Sequence, residues 1–170
     1  MVQDAMKSDH LIGMIQPRDE QTKPELFNVG CAGRITRYEE TDDGRLEIIL
    51  SGLCRFKIEE ELTTTRGYRL VIPDWSDFSL DYGDQKEPDL QTQSLFRNVL
   101  KGYFKQNDME ADWELLDQLS AEQMANSLIN YVPITNADKQ MLIEADTLTN
   151  RLRVFTAILE GNRQDSITRH

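Results

Sequence analysis

The hydrophobic pattern of this chain changes its period once, near Trp75, and that change limits what the chain can fold into more than any other feature. Before it, residues 11–15, 29–38, 46–53, 55–62 and 68–72 are short apolar or alternating runs, most of them separated by glycines or polar clusters, and they read as strands. In Arg55-Phe56-Lys57-Ile58-Glu59 charged and apolar side chains alternate, which suits a strand with one face in water. Thr41-Asp42-Asp43-Gly44-Arg45 lies between two such runs. Asp-Gly supplies the positive φ angles of a tight hairpin turn, so residues 38–40 are expected to pair antiparallel with residues 46–48.

After Trp75 the period becomes helical. Residues 81–89 are polar, carry Gly83 and Pro88, and read as a linker. Leu95, Phe96, Val99, Leu100, Tyr103 and Phe104 share one face of a helix. A second helix is expected over residues 113–119 behind Asp112, and a third from the capping-box sequence Ser120-Ala121-Glu122-Gln123 to about Tyr131, stopped by Pro133. Thr135-Asn136-Ala137-Asp138 opens a fourth, and Leu148, Leu152, Phe155 and Leu159 form the apolar stripe of a fifth. Strands followed by helices make the fold class α+β, with a β domain over residues 1–80, a linker over 81–90 and a helical bundle over 91–170.

Charge and residue inventory then exclude several kinds of chemistry. The net charge of −11 opposes a phosphate-tracking surface, because nucleic-acid affinity rests on Lys and Arg displacing counterions, so no nucleic-acid partner is expected. No apolar run approaches the length of a membrane span, and the N-terminus shows no signal peptide; no membrane partner is expected, and the cytoplasm is the default location. His10 and His170 sit near opposite ends without ligand spacing, so neither a metal site nor a Ser-His-Asp triad is expected. A calcium loop starting at Asp108 would need glycine and a carboxylate where Trp113 and Leu119 stand. No glycine-rich loop precedes a lysine, so no nucleotide or other cofactor is expected, and the chain does not read as an enzyme. Cys31 and Cys54 read as buried free thiols.

Two apolar features remain open between core and binding. Trp75 and Phe78, just past the last strand, either close the end of a β core or line a peptide groove. Leu26 and Phe27, between Pro24 and Gly30, either plug the sheet or serve as recognition anchors.

Leu11-Ile12-Gly13-Met14-Ile15-Gln16-Pro17, with Leu26-Phe27-Asn28-Val29-Gly30-Cys31-Ala32-Gly33-Arg34-Ile35, resembles the substrate-binding N-terminal domain of the Lon ATP-dependent proteases. Leu50-Ser51-Gly52-Leu53-Cys54-Arg55-Phe56-Lys57-Ile58 continues the likeness, as does the tail from Asp138 to Leu159. The resemblance implies a PUA-like β-barrel or sheet domain followed by a helical bundle, without the ATPase and Ser-Lys protease modules of the full-length enzymes. It also implies that an N-terminal strand portion is missing ahead of Met1, so that an exposed edge strand is left to form a homodimer or take up an extended segment. The function implied is recognition of unfolded or extended polypeptide, with Leu26, Phe27, Trp75 and Phe78 as apolar contacts and Arg55 as a carbonyl or carboxylate partner. The alternative is a scaffold that keeps the fold without peptide capture. Gly30, Gly33 and Gly52 are expected to serve the backbone, at bulges or close strand approaches, with Cys31 and Cys54 as structural neighbours.

Overall fold

The structure is a computed structural model that describes residues 1–19, 24–83 and 86–168. The chain forms two compact units, Met1–Asp84 and Gln85–His170. The first contains the short helix α1 (Val2–Ala5), strands β1 (Leu11–Met14), β2 (Val29–Glu40), β3 (Leu46–Leu62) and β4 (Leu70–Asp74), and a 3₁₀ segment, Ser76–Tyr82. The second contains α2 (Leu90–Gln106), α3 (Trp113–Asp117), α4 (Ala121–Tyr131), α5 (Asn136–Glu144) and α6 (Leu148–Thr168). The α+β order expected from the change of period is the order observed.

The strands form one antiparallel meander, β1-β2-β3-β4, so β1 and β4 are its edges. The hairpin between β2 and β3 has the expected register, with Tyr38 opposite Ile48 and Glu40 opposite Leu46. Its turn differs from the expectation: it is a five-residue loop in which only Gly44 has positive φ (79°). Thr41 closes that loop, its N–H donating to the Arg45 carbonyl at 2.9 Å and its hydroxyl to the same oxygen at 3.1 Å. The runs read as two strands, 46–53 and 55–62, are one strand. A bulge explains the apparent break: Ala32 pairs with Cys54 and Gly33 with Gly52, so Leu53 is an extra residue that bends β3 without ending it.

Gly30 is where a backbone constraint is strongest. A Cβ there would lie 2.5 Å from Ile15 Cγ1 and 2.7 Å from the Met14 carbonyl oxygen, so β1 packs this closely on β2 only because the side chain is absent. Gly33 sits at the bulge, with Leu50 Cβ 3.3 Å from its would-be Cβ. Gly52, paired with Gly33 and next to the extra residue Leu53, also sits at the bulge, but without a close approach, since the nearest neighbour of a Cβ there would be Cys31 Sγ at 3.8 Å. The buried apolar residues of this unit are few. Ala5, Ile12 and Ile35 cluster with Val2, Met6, Ile48 and Leu50 around α1, while Phe56 and Cys54 are buried on the sheet.

In the second unit, Phe96, Val99, Leu100, Tyr103 and Phe104 of α2 are buried with Met124 and Leu128 of α4, Leu142 of α5, and Leu148, Leu152, Phe155 and Leu159 of α6. Leu95 is a correction to the expected six-residue stripe: it is exposed, because its position lies one residue, about 100°, off the buried face. Local chemistry sets the helix starts. The Asp89 carboxylate accepts from Thr92 N–H at 2.8 Å, Asp112 from Leu115 N–H at 3.0 Å, and Ser120 and Thr135 each close a capping box. No helix among the described residues is long and apolar enough to cross a membrane.

Candidate functional site

The sheet unit carries an apolar groove of about 700 Å³ with one edge strand on each side. Leu11, Ile12 and Gly13 of β1 line one side, followed by Ile15, and Leu70, Val71 and Pro73 of β4 with Trp75 line the other. Ala32 of β2 and Phe56 of β3 contribute the central strands, and Met1, Asp4, Ala5 and Ser8 of the α1 segment complete the lining together with Leu26, Arg66, Tyr68 and Arg69. Gly13 keeps this surface open, since a Cβ there would stand 3.1 Å from the Phe56 ring. Trp75 packs on the same ring, with centroids 5.4 Å apart. The charges in the groove are matched: Arg66 lies 3.7 Å from Asp4, and Arg69 donates to Glu61 at 2.7 Å and to the Pro24 carbonyl at 2.7 Å. Tyr68 donates its hydroxyl hydrogen to Asp4 at 2.7 Å, which draws the Asp4 carboxyl below its usual range and ties the β3–β4 loop to α1.

The residues singled out from sequence separate into three places. Leu26 and Trp75 enter the groove. Phe27 does not line it; its ring lies 4.6 Å under the Arg18 guanidinium, and Arg18 Nε also donates to the Leu26 carbonyl at 3.0 Å. Arg55 and Phe78 are buried elsewhere in the unit. The Arg55 guanidinium stands 4.4 Å over the Phe78 ring and donates to both carboxylate oxygens of Asp81, Nε at 2.8 Å and Nη2 at 2.7 Å. The Arg55 backbone N–H adds a third bond to Asp81 at 2.9 Å. Arg55 therefore spends its charge inside the protein, clasping the 3₁₀ segment to β3, and is not presented to a peptide carboxylate.

Sequence reading missed Asp81, because composition assigned it to the polar linker. Asp84 and Gln85 of that linker, and His170, lie outside the described residues. It also missed Gly13, Phe56, Val71 and Pro73 as groove residues. Pro73 did carry a usable signal, since a proline inside an apolar run marks an edge strand. Cys54 is buried, and its thiol donates to the Arg55 carbonyl at 3.0 Å. Cys31 is only half-buried, which corrects the expectation of two buried thiols. Both are free, and desolvation raises both thiols above their ordinary pKa of 9.0, so they stay protonated at neutral pH. His10, in the left-handed region at φ 61°, is tied locally, its Nε2 lying 3.1 Å from the Met6 carbonyl.

Fold and groove define an α+β chain with a meander sheet, open at both edges among the described residues, followed by a helical unit. The chain belongs to the ATP-dependent protease La (LON) substrate-binding domain family, whose model matches residues 1–161. It is 27% identical over 167 residues to the Lon protease of Buchnera aphidicola subsp. Schizaphis graminum, covering 94% of this chain and 21% of that protein. To the Lon protease of Cytophaga hutchinsonii it is 26% identical over 170 residues, covering 96% and 21%. The chain thus spans about a fifth of the length of the curated relatives it matches. Among solved structures, the Lon N-terminal domain protein from Xanthomonas campestris superposes with a TM-score of 0.66 at 18% identity, covering 92% of this chain and 80% of that one. The N-terminal domain of the Mycobacterium avium complex Lon protease gives 0.61 at 17%, covering 94% and 82%. These likenesses establish the fold. The matched model is a substrate-binding domain, not an ATPase or protease module.

Proposed function

We propose that this chain is a non-catalytic recognition module for unfolded or extended polypeptide, working in the cytoplasm, and that it takes its ligand in the groove between β1 and β4. The observation that carries this reading is the groove itself: about 700 Å³, lined mainly by apolar side chains from both edge strands, within the size range of binding clefts. Leu26 and Trp75 supply large apolar contact there, while Arg55 and Phe78 act indirectly by anchoring the segment after Trp75. Membership of a substrate-binding domain family supports the same reading.

The test is suppression of aggregation of a chemically denatured client protein by the purified chain, comparing the parent with Trp75→Ala and Leu26→Ala. The parent should slow aggregation at near-stoichiometric ratio, and Trp75→Ala should weaken this several-fold while keeping its helical circular dichroism. A parent with no effect, or folded variants that match it, would favour the scaffold reading.

A further inference from the structure

The helical unit carries an aromatic surface of its own. Phe104 of α2 is buried, and two rings pack on it from outside: Trp113 at the start of α3, edge-on with centroids 5.4 Å apart, and Tyr131 at the end of α4, stacked at 5.9 Å. Tyr131 is held at both ends. One face lies on Phe104 and the hydroxyl donates to the Glu110 carbonyl at 3.1 Å, yet 57% of the residue is exposed. A ring fixed in this way offers its outer face to a ligand with little further loss of side-chain freedom. The Trp113 ring already receives a cation, since the Lys101 ammonium lies 5.4 Å from its centroid.

Charge around these rings is one-sided. Residues 106–138 contain seven acidic residues and no Lys, Arg or His. Three of the seven serve the fold: Asp117 pairs with Arg97, Asp112 caps α3, and Asp138 completes the capping box of α5. Asp108, Glu110 and Glu114 are exposed and form no ion pair among the described residues. Asp108 and Glu110 stand in the loop to which Tyr131 bonds, and Glu114 follows Trp113. The end of α4 adds the same sign, because a helix C-terminus carries partial negative charge and this last turn has no basic residue. Aromatic faces, carboxylates and a helix C-terminus all favour a cation, and a guanidinium, planar and weakly hydrated, meets all three at once. The same surface repels nucleic acid and anionic lipid, which leaves a basic polypeptide.

We infer that the Trp113–Tyr131 face is a second binding surface, and that its occupant is an arginine-bearing segment of a partner polypeptide, one guanidinium stacking on the outer face of Tyr131 with its charge met by Asp108 and Glu110. Every residue of this surface belongs to the helical unit, whereas the groove is lined by the sheet unit, so the inference stands apart from the groove's capture of unfolded chains.

The experiment titrates a labelled, end-capped peptide of alternating arginine and glycine, roughly eight residues long, with the purified chain at low salt and follows fluorescence anisotropy. A version with citrulline in place of arginine keeps the shape and loses the charge. The parent chain should bind the arginine peptide, and the citrulline peptide at least about tenfold more weakly. Tyr131→Leu, checked for folding by helical circular dichroism, should weaken binding about five- to tenfold, and so should Asp108→Asn combined with Glu110→Gln, which alters exposed carboxylates only. Glu59→Gln combined with Glu60→Gln makes the same change of charge on β3 and should bind like the parent, as should Trp75→Ala. A parent that ignores the arginine peptide, or binds the citrulline peptide as tightly, would overturn the inference. Equal weakening by the β3 pair would reduce the effect to net charge and overturn it as well. Loss of binding in Trp75→Ala, with both helical-unit variants unaffected, would place the peptide in the groove instead. Should Tyr131→Leu fail to fold, the Asp108 and Glu110 variant decides alone.

Discussion

The two units of this protein are held together by different physics. In the helical unit, one continuous apolar cluster runs through α2, α4, α5 and α6 from Phe96 to Leu159, and side-chain caps secure the starts of α2, α3, α4 and α5. In the sheet unit the buried apolar cluster around Ala5, Ile12 and Ile35 is small. Val29, Ala32, Cys54, Phe56 and Phe78 are buried besides, and the polar links are one buried pair, Arg55 with Asp81, and three exposed ones, Arg69 to Glu61, Tyr68 to Asp4 and Lys57 to Asp77. Burial of apolar area is the main favourable term in folding, so the helical unit should be the more stable. What the difference teaches is why the groove belongs to the sheet unit. A groove lined by apolar side chains leaves apolar area uncovered, and the unit that carries it has one buried ion pair, Arg55 with Asp81, to hold its 3₁₀ segment on β3.

The comparison breaks most visibly at Asp81. Asp81→Ala removes the carboxylate that accepts three hydrogen bonds from the buried Arg55, and the loss should be about 3–5 kcal/mol, confined to the sheet unit. A two-transition denaturation curve in which only the less stable transition moves would show this; an unchanged curve would show that water replaces the carboxylate at no cost. In the unmodified chain, amides in residues 29–35 should exchange with solvent faster than those in residues 95–104, by about two orders of magnitude. The reverse order, read by hydrogen-exchange mass spectrometry, would invert the ranking of the units.

Smaller effects sharpen the contrast. Gly30→Ala forces a methyl against Ile15 and the Met14 carbonyl and should cost about 1–3 kcal/mol in the sheet unit, measured by urea unfolding. Ser120→Ala removes a cap from α4 and should cost about 1 kcal/mol, in the helical transition only. Smallest is the acid response of the α2 cap. Hydrogen bonds from Thr92 hold the Asp89 carboxyl below its ordinary 3.8, so it contributes stability above that value and loses it as pH falls through the lower, folded-state value. The stability difference between the parent and Asp89→Asn should therefore shrink as pH drops below about 4. A difference that is flat from pH 7 to pH 2 would show that the amide caps the helix as well as the carboxylate does.

Residues close in sequence determined much of this protein. Thr41 to Arg45 specified the register of the β2–β3 hairpin, Ser120 to Gln123 and Thr135 to Asp138 specified helix starts, and the change of period near Trp75 announced strands before helices. Each of these rests on chemistry between residues a few positions apart: a turn dihedral, a capping hydrogen bond, a face repeated every 3.6 residues. The division of labour among Leu26, Phe27, Arg55, Trp75 and Phe78 had no such local marker. All five are large side chains at plausible positions, yet Leu26 and Trp75 line the groove, Phe27 stacks beneath Arg18, and Arg55 and Phe78 are buried around Asp81, a residue 26 positions from Arg55. Only the tertiary structure decided this, because it depends on which distant strands face each other. The curl that brings β1 and β4 to one cavity is a property of the whole sheet, summed from strand twist and the register shifts at Leu53, Thr36 and Glu59, and no short stretch of sequence encodes it.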